Sequence, residues 1–142
     1  MDYGQRRIGL ALSDPSRTIA SPFGTLRRRP GKRPPIAELE RLVREHEVTE
    51  LVVGLPLDLQ GQESDWTREV RSFGETLQRR TGLSVTFVDE RLTSVAAERA
   101  VRGSGLKRSQ REEKGRVDAA AAAIILQTFL ARHRRGDDEA SS

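Results

Sequence analysis

Apolar positions change period several times along the chain. The run RIGLALSD (residues 7–14) alternates in part and closes on Asp14-Pro15, a turn signal. TIASPFGTL (residues 18–26) is a second extended run, bent at Ser21-Pro22. With MDYG ahead of them, these predict a three-strand meander whose first member is short. The Pro- and Arg-rich stretch over residues 27–35 is a loop. From Ile36 the period becomes helical: Ile36, Leu39, Leu42 and Val43 share one face, with Glu38, Glu40, Arg41 and Arg44 outside it. ELVVGLP (residues 50–56) is continuously apolar, as expected of a strand covered on both faces.

A polar turn around Gly61 follows. Ser64 can then cap a helix that turns Trp66, Val70, Phe73 and Leu77 inward and ends near Thr81-Gly82. LSVTFVDER (residues 83–91) is the next strand, and Thr93 can cap a helix running to about Gly103. Residues 103–115 are polar, basic and glycine-punctuated, and are expected to be mobile. VDAAAAAIILQTFLARH (residues 117–133) is the last helix, whose alanines suit close packing against a sheet. A meander followed by helix–strand alternation predicts an α/β layer structure with a mixed sheet.

The 142 residues make one domain, over 1–134, with residues 135–142 expected as a disordered tail. No apolar run approaches the roughly 18 residues of a membrane span, and the start lacks a signal-peptide layout. A cytoplasmic protein with no membrane partner is therefore expected. The absence of cysteine excludes disulfides, thiol catalysis and cysteine-ligated zinc. His46 and His133 are expected on the surface. The net charge of +4 favours an anionic partner, nucleic acid first, although an arginine-rich composition alone would produce the same total. Basic residues cluster in RRRPGKR (residues 27–33) and over residues 102–116. The six aromatic residues are scattered along the chain, which argues against a stacking platform for single strands.

Acids stand at three places, strand ends and a helix start: Asp2, the Asp89-Glu90 pair, and Asp118. Each has a structural alternative: terminal padding for Asp2, surface ion pairs for Asp89 and Glu90, and a helix-dipole partner for Asp118. Brought together, such carboxylates repel unless a cation intervenes, and hard oxygen ligands select Mg²⁺ or Mn²⁺. Two such ions about 4 Å apart are an apparatus for phosphodiester hydrolysis. Spacing alone does not show convergence.

DYGQRRIGLALSD, LVVGLPLDLQGQES, VDERLTS and GRVDAAAAAIIL occur in order, and together they resemble the motifs of the YqgF/RuvX family. The resemblance covers Met1 to Leu130. It implies a ribonuclease H-like α/β fold, a five-stranded mixed sheet flanked by helices. It also implies a divalent-metal phosphodiesterase, with a suspected two-metal site, acting at four-way DNA junctions or on the 5′ end of pre-16S rRNA. The family pattern assigns the catalytic, metal-binding carboxylates to Asp2, Glu90 and Asp118.

Arg6 and Arg91 are candidates to contact the scissile phosphate. Lys107, Arg108, Lys114 and Arg116, just before Asp118, are candidates for backbone contacts to nucleic acid. Tyr3 and Gly4 would shape the strand beside the metal. No histidine is placed to act as a general base. A monomer or a homodimer is compatible with these motifs.

The pattern departs from the family at its start, because only Met1 precedes Asp2. The natural chain is expected to begin earlier, and an intact mass of 15.9 kDa for the native protein would count against that. Two other classes compete. The DYG hairpin also resembles the first phosphate loop of actin-like kinases, but 142 residues leave no room for their second domain. A non-catalytic module binding rRNA or transcription machinery is the other alternative. Three carboxylates among the arginines argue against it.

Overall fold

The computed structural model describes residues 1–29, 31–93 and 110–140, with side chains described outside 110–117 and 134–140. Strands β1 (Asp2–Tyr3), β2 (Arg7–Ser13) and β3 (Ala20–Arg27) form an antiparallel sheet in that order. The register shift between Leu10 and Ala11 is a bulge opposite Ser21-Pro22, where the sequence predicts a bend. Strands β4 (Leu51–Leu55) and β5 (Val85–Asp89) form a parallel pair. Met1 joins the two sets: its amino group donates to the Val52 carbonyl at 2.6 Å, and the Gly54 N–H donates to the Met1 carbonyl at 3.0 Å. Bonds on either side of Val53 have the spacing of a parallel ladder and bring Asp2 level with Gly54.

Helices α1 (Ile36–Glu45) and α2 (Asp65–Thr81) cover one face of the strands. The Ser64 hydroxyl accepts from the Thr67 N–H at 3.2 Å, and the Thr67 hydroxyl accepts from the Ser64 N–H at 3.1 Å, a capping box built with threonine. Gly82 ends α2 at φ +75°, a left-handed cap that suits glycine. A short 3₁₀ helix (Glu90–Leu92) follows β5, and α3 (Gln110–Ala140) covers the other face.

Alternation sorts the strand residues between these faces. Tyr3, Ile8, Leu10, Leu51, Val53 and Leu55 join Val70, Phe73 and Leu77 in one core. Val52 and Val88 join Ala121, Ile125, Phe129 and Leu130 in the other. The predicted alanine packing is present, with Ala119, Ala121 and Ala122 buried. Gln127 fastens α3 to the start of β3, accepting from the Ala20 N–H at 3.0 Å and donating to the Thr18 carbonyl at 3.2 Å.

The last helix starts earlier than its alanine run predicts. Its backbone is helical from Gln110, so part of the segment expected to be mobile is ordered. Glu, Lys and Arg there are good helix formers, and Gly115 is carried through rather than breaking the helix. The helix also continues through Ala140, into the segment expected as a tail. The helix expected over 93–103 falls, after Thr93, outside the described residues.

Candidate functional site

Asp2 and Gly9 face each other across the β1–β2 ladder. Gly9 has no side chain, and helix α3 uses the space. A Cβ there would lie 2.0 Å from the Asp118 carbonyl oxygen and 2.5 Å from its carbon. The backbone of Asp118 therefore rests directly on the strand pair that carries Asp2. Gly54 plays a similar part on β4, where a Cβ would meet the Glu90 Oε1 at 2.9 Å and the Ile125 Cδ1 at 2.6 Å. Asp2 and Glu90 are both buried, at 3% and 7% exposure. Both act electrostatically on the Met1 amino group, whose pKa burial lowers to about 6 while the two carboxylates pull it upward. That group is part-buried and hydrogen-bonded to β4 through the Val52 carbonyl.

Three acids far apart in sequence thus stand on the α3 face of the strands. Their carboxylates do not yet form a metal shell: among the described residues, no three Asp, Glu or His groups lie at ligand separations. The Asp118 Oδ2 instead accepts from the Arg7 Nε at 2.9 Å, in a pair whose side chains are each 20% exposed. Asp118 sits inside α3, two turns past Gln110, so the helix-dipole role suggested by its place before the alanines does not apply. Arg7 was not among the candidates from sequence, though a signal existed. It lies two residues from Gly9 in β2, on the same face as Gly9 and Asp2, while Ile8 and Leu10 take the other.

The remaining candidates separate clearly. The Arg91 side chain is held by its neighbour: Nε and Nη2 donate to Asp89 Oδ2 at 3.0 and 2.7 Å, and the guanidinium packs over Gly61. Hydrogen bonds from Arg91 depress the Asp89 pKa, and Asp89 in turn raises that of Arg91. Arg91 is therefore engaged by Asp89. Arg6 is exposed on the turn between β1 and β2. Lys107 and Arg108 lie outside the described residues. Lys114 and Arg116 lie on the helical backbone of α3, with side chains outside the described set. His46 and His133 are exposed, each against a phenylalanine ring, Phe23 and Phe129.

The aromatic residues are less scattered in space than in sequence. Tyr3 stacks on Phe73 at 4.1 Å and on Trp66 at 5.5 Å between ring centroids, and the Arg28 guanidinium lies 4.5 Å over the Tyr3 ring. Burial raises the Tyr3 pKa, with Arg28 opposing and Glu69 reinforcing the shift.

The scaffold is therefore an α/β strand layer between helices, with Asp2 and Glu90 buried on one face beside close-packed glycines. Comparison with known proteins assigns the family. Residues 1–132 match the profile of RuvX, described as a Holliday junction resolvase, and the chain belongs to that family. A protein of Maridesulfovibrio salexigens is 41% identical over 132 residues, covering 93% of this chain and 96% of that relative. A Roseiflexus protein (strain RS-1) is 44% identical over 134 residues, covering 94% and 93%. A Koribacter versatilis protein is 44% identical over 138 residues, covering 97% and 87%. All three carry the name "Putative pre-16S rRNA nuclease". Family and relatives together support a nuclease with a nucleic-acid substrate. No helix among the described residues is long and apolar enough to cross a membrane.

Proposed function

We propose that this protein is a divalent-metal-dependent nuclease that trims pre-16S rRNA, working in the cytoplasm on a single five-stranded mixed sheet in which Met1 zips β1 to β4. The observation that carries this reading is the packing of Asp118 onto Gly9, directly across the ladder from Asp2, with Glu90 against Gly54 on the same face.

The donor set fits a hard divalent ion. Asp2 and Glu90 are buried oxygen donors that both act on the Met1 amino group, and carboxylates so placed suit Mg²⁺ or Mn²⁺ rather than a soft metal. Asp2 and Glu90 would hold the ion, and Asp118 would complete the site on release from Arg7. Such an ion supplies Lewis acidity and a nucleophile at neutral pH. The chain itself supplies position and charge. Gly9 and Gly54 let α3 and Glu90 approach closely, and the small residues of α3 keep its backbone against the strands. Arg7, freed from Asp118, has a guanidinium suited to bidentate contact with a phosphodiester. Neither histidine is near these acids, so no imidazole base is assigned.

The test offers precursor rRNA, four-way junction DNA, duplex DNA and single-stranded RNA side by side, each with Mg²⁺ or Mn²⁺ and with Asp118→Asn as control. The expected result is metal-dependent cleavage of precursor rRNA ahead of the others, lost in the variant. Cleavage of junction DNA in preference would replace rRNA as the substrate. Absence of cleavage of every substrate, with nucleic acid still bound by the variant, would leave the non-catalytic module as the account.

A further inference from the structure

Tyr3 follows Asp2 in β1 and points to the opposite face, where it borders a cavity of about 810 Å³. That volume is in the range that takes a nucleotide-sized ligand, roughly 300–1,000 Å³. The walls combine cations and aromatic surface: Arg28, Lys32 and Arg33 from the loop after β3, with Tyr3 and Trp66. This basic run, over residues 27–33, is one of the two basic clusters of the sequence, and the proposed carboxylate site does not draw on it.

The charges in this cavity are unevenly satisfied. Arg80 also lines it, but pairs with Glu40 at 2.8 Å. Glu69 is the acid in the wall, and it acts on Tyr3. Among the described residues, Arg28, Lys32 and Arg33 form no ion pair with a carboxylate. Arg28 spends its terminal nitrogens on the carbonyls of Gly4, at 3.1 Å, and Lys32, at 3.5 Å, while its buried Nε has no hydrogen-bond partner among the described residues. Lys32 and Arg33 are exposed. Trp66, only partly buried, is the member of the aromatic stack that keeps open surface.

We propose that this cavity binds the phosphate backbone of a single nucleic-acid strand, next to the segment being cleaved. Lys32 and Arg33 contact successive phosphates, Arg28 shapes the floor, and a base lies against Trp66. The strand reaches it from the carboxylate face by rounding the β1–β2 turn, where Gln5 lines the cavity and Arg6 is exposed. Beside the proposed nuclease site, on which this inference rests for its biological setting, the cavity would hold the substrate in register without touching the reacting phosphate.

Trp66 is the only tryptophan, so its emission reports on this cavity directly. Wild-type protein in EDTA and low salt is titrated with a short oligouridylate RNA, with uridine monophosphate and with inorganic phosphate, following Trp66 emission and, for a labelled RNA, anisotropy. Saturable quenching by the oligonucleotide is expected, with the two small anions needing at least about a hundredfold more. Lys32→Glu/Arg33→Glu is expected to weaken RNA binding at least tenfold and to flatten its salt dependence by about 0.7 per lost phosphate contact. Arg41→Glu/Arg44→Glu, on the exposed side of α1, makes the same change in net charge and keeps both values.

Anisotropy showing binding with no change at Trp66, or a double variant that binds as wild type, overturns the proposal. Uridine monophosphate binding as tightly as RNA also overturns it, in favour of a free-nucleotide site. Because EDTA removes cleavage, quenching without any metal-dependent nuclease activity would uphold the cavity and sink the nuclease reading. Cleavage with an unresponsive Trp66 would do the reverse.

Discussion

The two faces of the same strands are built on opposite rules. Toward α1 and α2, alternate residues are large: Tyr3, Ile8, Leu10, Val53 and Leu55 fill a core with Val70, Phe73 and Leu77. Toward α3, Asp2, Gly9 and Gly54 interrupt a core of Val52 and Val88 with Ile125, Phe129 and Leu130; Gly9 is met by the backbone of Asp118, and Gly54 by the side chains of Ile125 and Glu90. Burial of large side chains stabilises the first face, at roughly 25 cal/mol per Å² of apolar surface. At Gly9 and Gly54 the second gives up apolar bulk, so that helix and strand approach closely beside the buried Asp2 and Glu90. In the proposed mechanism, the positions given to chemistry and close approach, Asp2, Gly9 and Gly54, alternate along the strands with residues that fill the α1–α2 core.

That division holds if substitutions on one face change only what that face supplies, and breaks if they change both. The largest effect is expected for Asp2→Asn, which removes a carboxylate of the proposed site. Cleavage should fall by several kcal/mol of barrier, about a hundredfold or more, with a smaller loss of stability than any large core truncation. Initial rates paired with urea melts check both halves. Leu77→Ala, fully buried on the α2 side, should do the converse. It should cost about 2–5 kcal/mol of stability while cleavage per folded molecule stays near wild type, measured by the same melts and rates.

Gly9→Ala sharpens the comparison, because it should damage both properties. Its Cβ meets helix backbone, which cannot swing aside as a side chain can, so α3 must shift from the strands. A loss of about 3 kcal/mol, at the upper end for overpacking, should accompany a fall in cleavage. Arg7→Gln is expected to be milder. The partly exposed pair with Asp118 contributes up to about 1 kcal/mol, discounted for solvent screening. In the proposed mechanism, this change should lower cleavage more than stability.

The smallest effect lies away from both faces, at the β2–β3 turn. Asp14 accepts from the Ile19 N–H at 2.9 Å and the Thr18 N–H at 2.7 Å, and from the Ser16 hydroxyl. These bonds, the one from Ile19 foremost, lower its pKa from 3.8 to about 2. A depressed folded pKa means that the contribution is present above the unfolded value of 3.8 and lost as pH falls through about 2. Asp14→Ala should therefore be less stable than wild type at neutral pH, and the gap should close across that acidic window in denaturant melts.

Much of this division was legible from sequence because period and caps are local. Ser64, Gly82 and the inward set Val70, Phe73 and Leu77 all behave as the pattern predicts. Asp2, Glu90 and Asp118 are recognisable from their motifs, yet only the fold reveals Gly9 and Gly54 as the close-approach points between them. The partners of charged groups were the least legible. Arg91 turns to Asp89, two residues away, and Arg7 reaches Asp118 across the fold. Side-chain choice among several nearby charges depends on tertiary geometry that periodicity does not encode. The start of α3 was missed because a glycine and a run of charges look like a loop, although those charges also favour a helix.

The central claim is that the α3 face is a cation site. Mn²⁺ titrated into metal-free wild type and Asp2→Asn, followed by calorimetry and by the Mn²⁺ paramagnetic signal, tests it without reference to any substrate. Saturable binding to wild type, lost or weakened at least tenfold in Asp2→Asn while both proteins remain folded, is the predicted result. Equal binding to the two proteins, or none to wild type, would contradict the account.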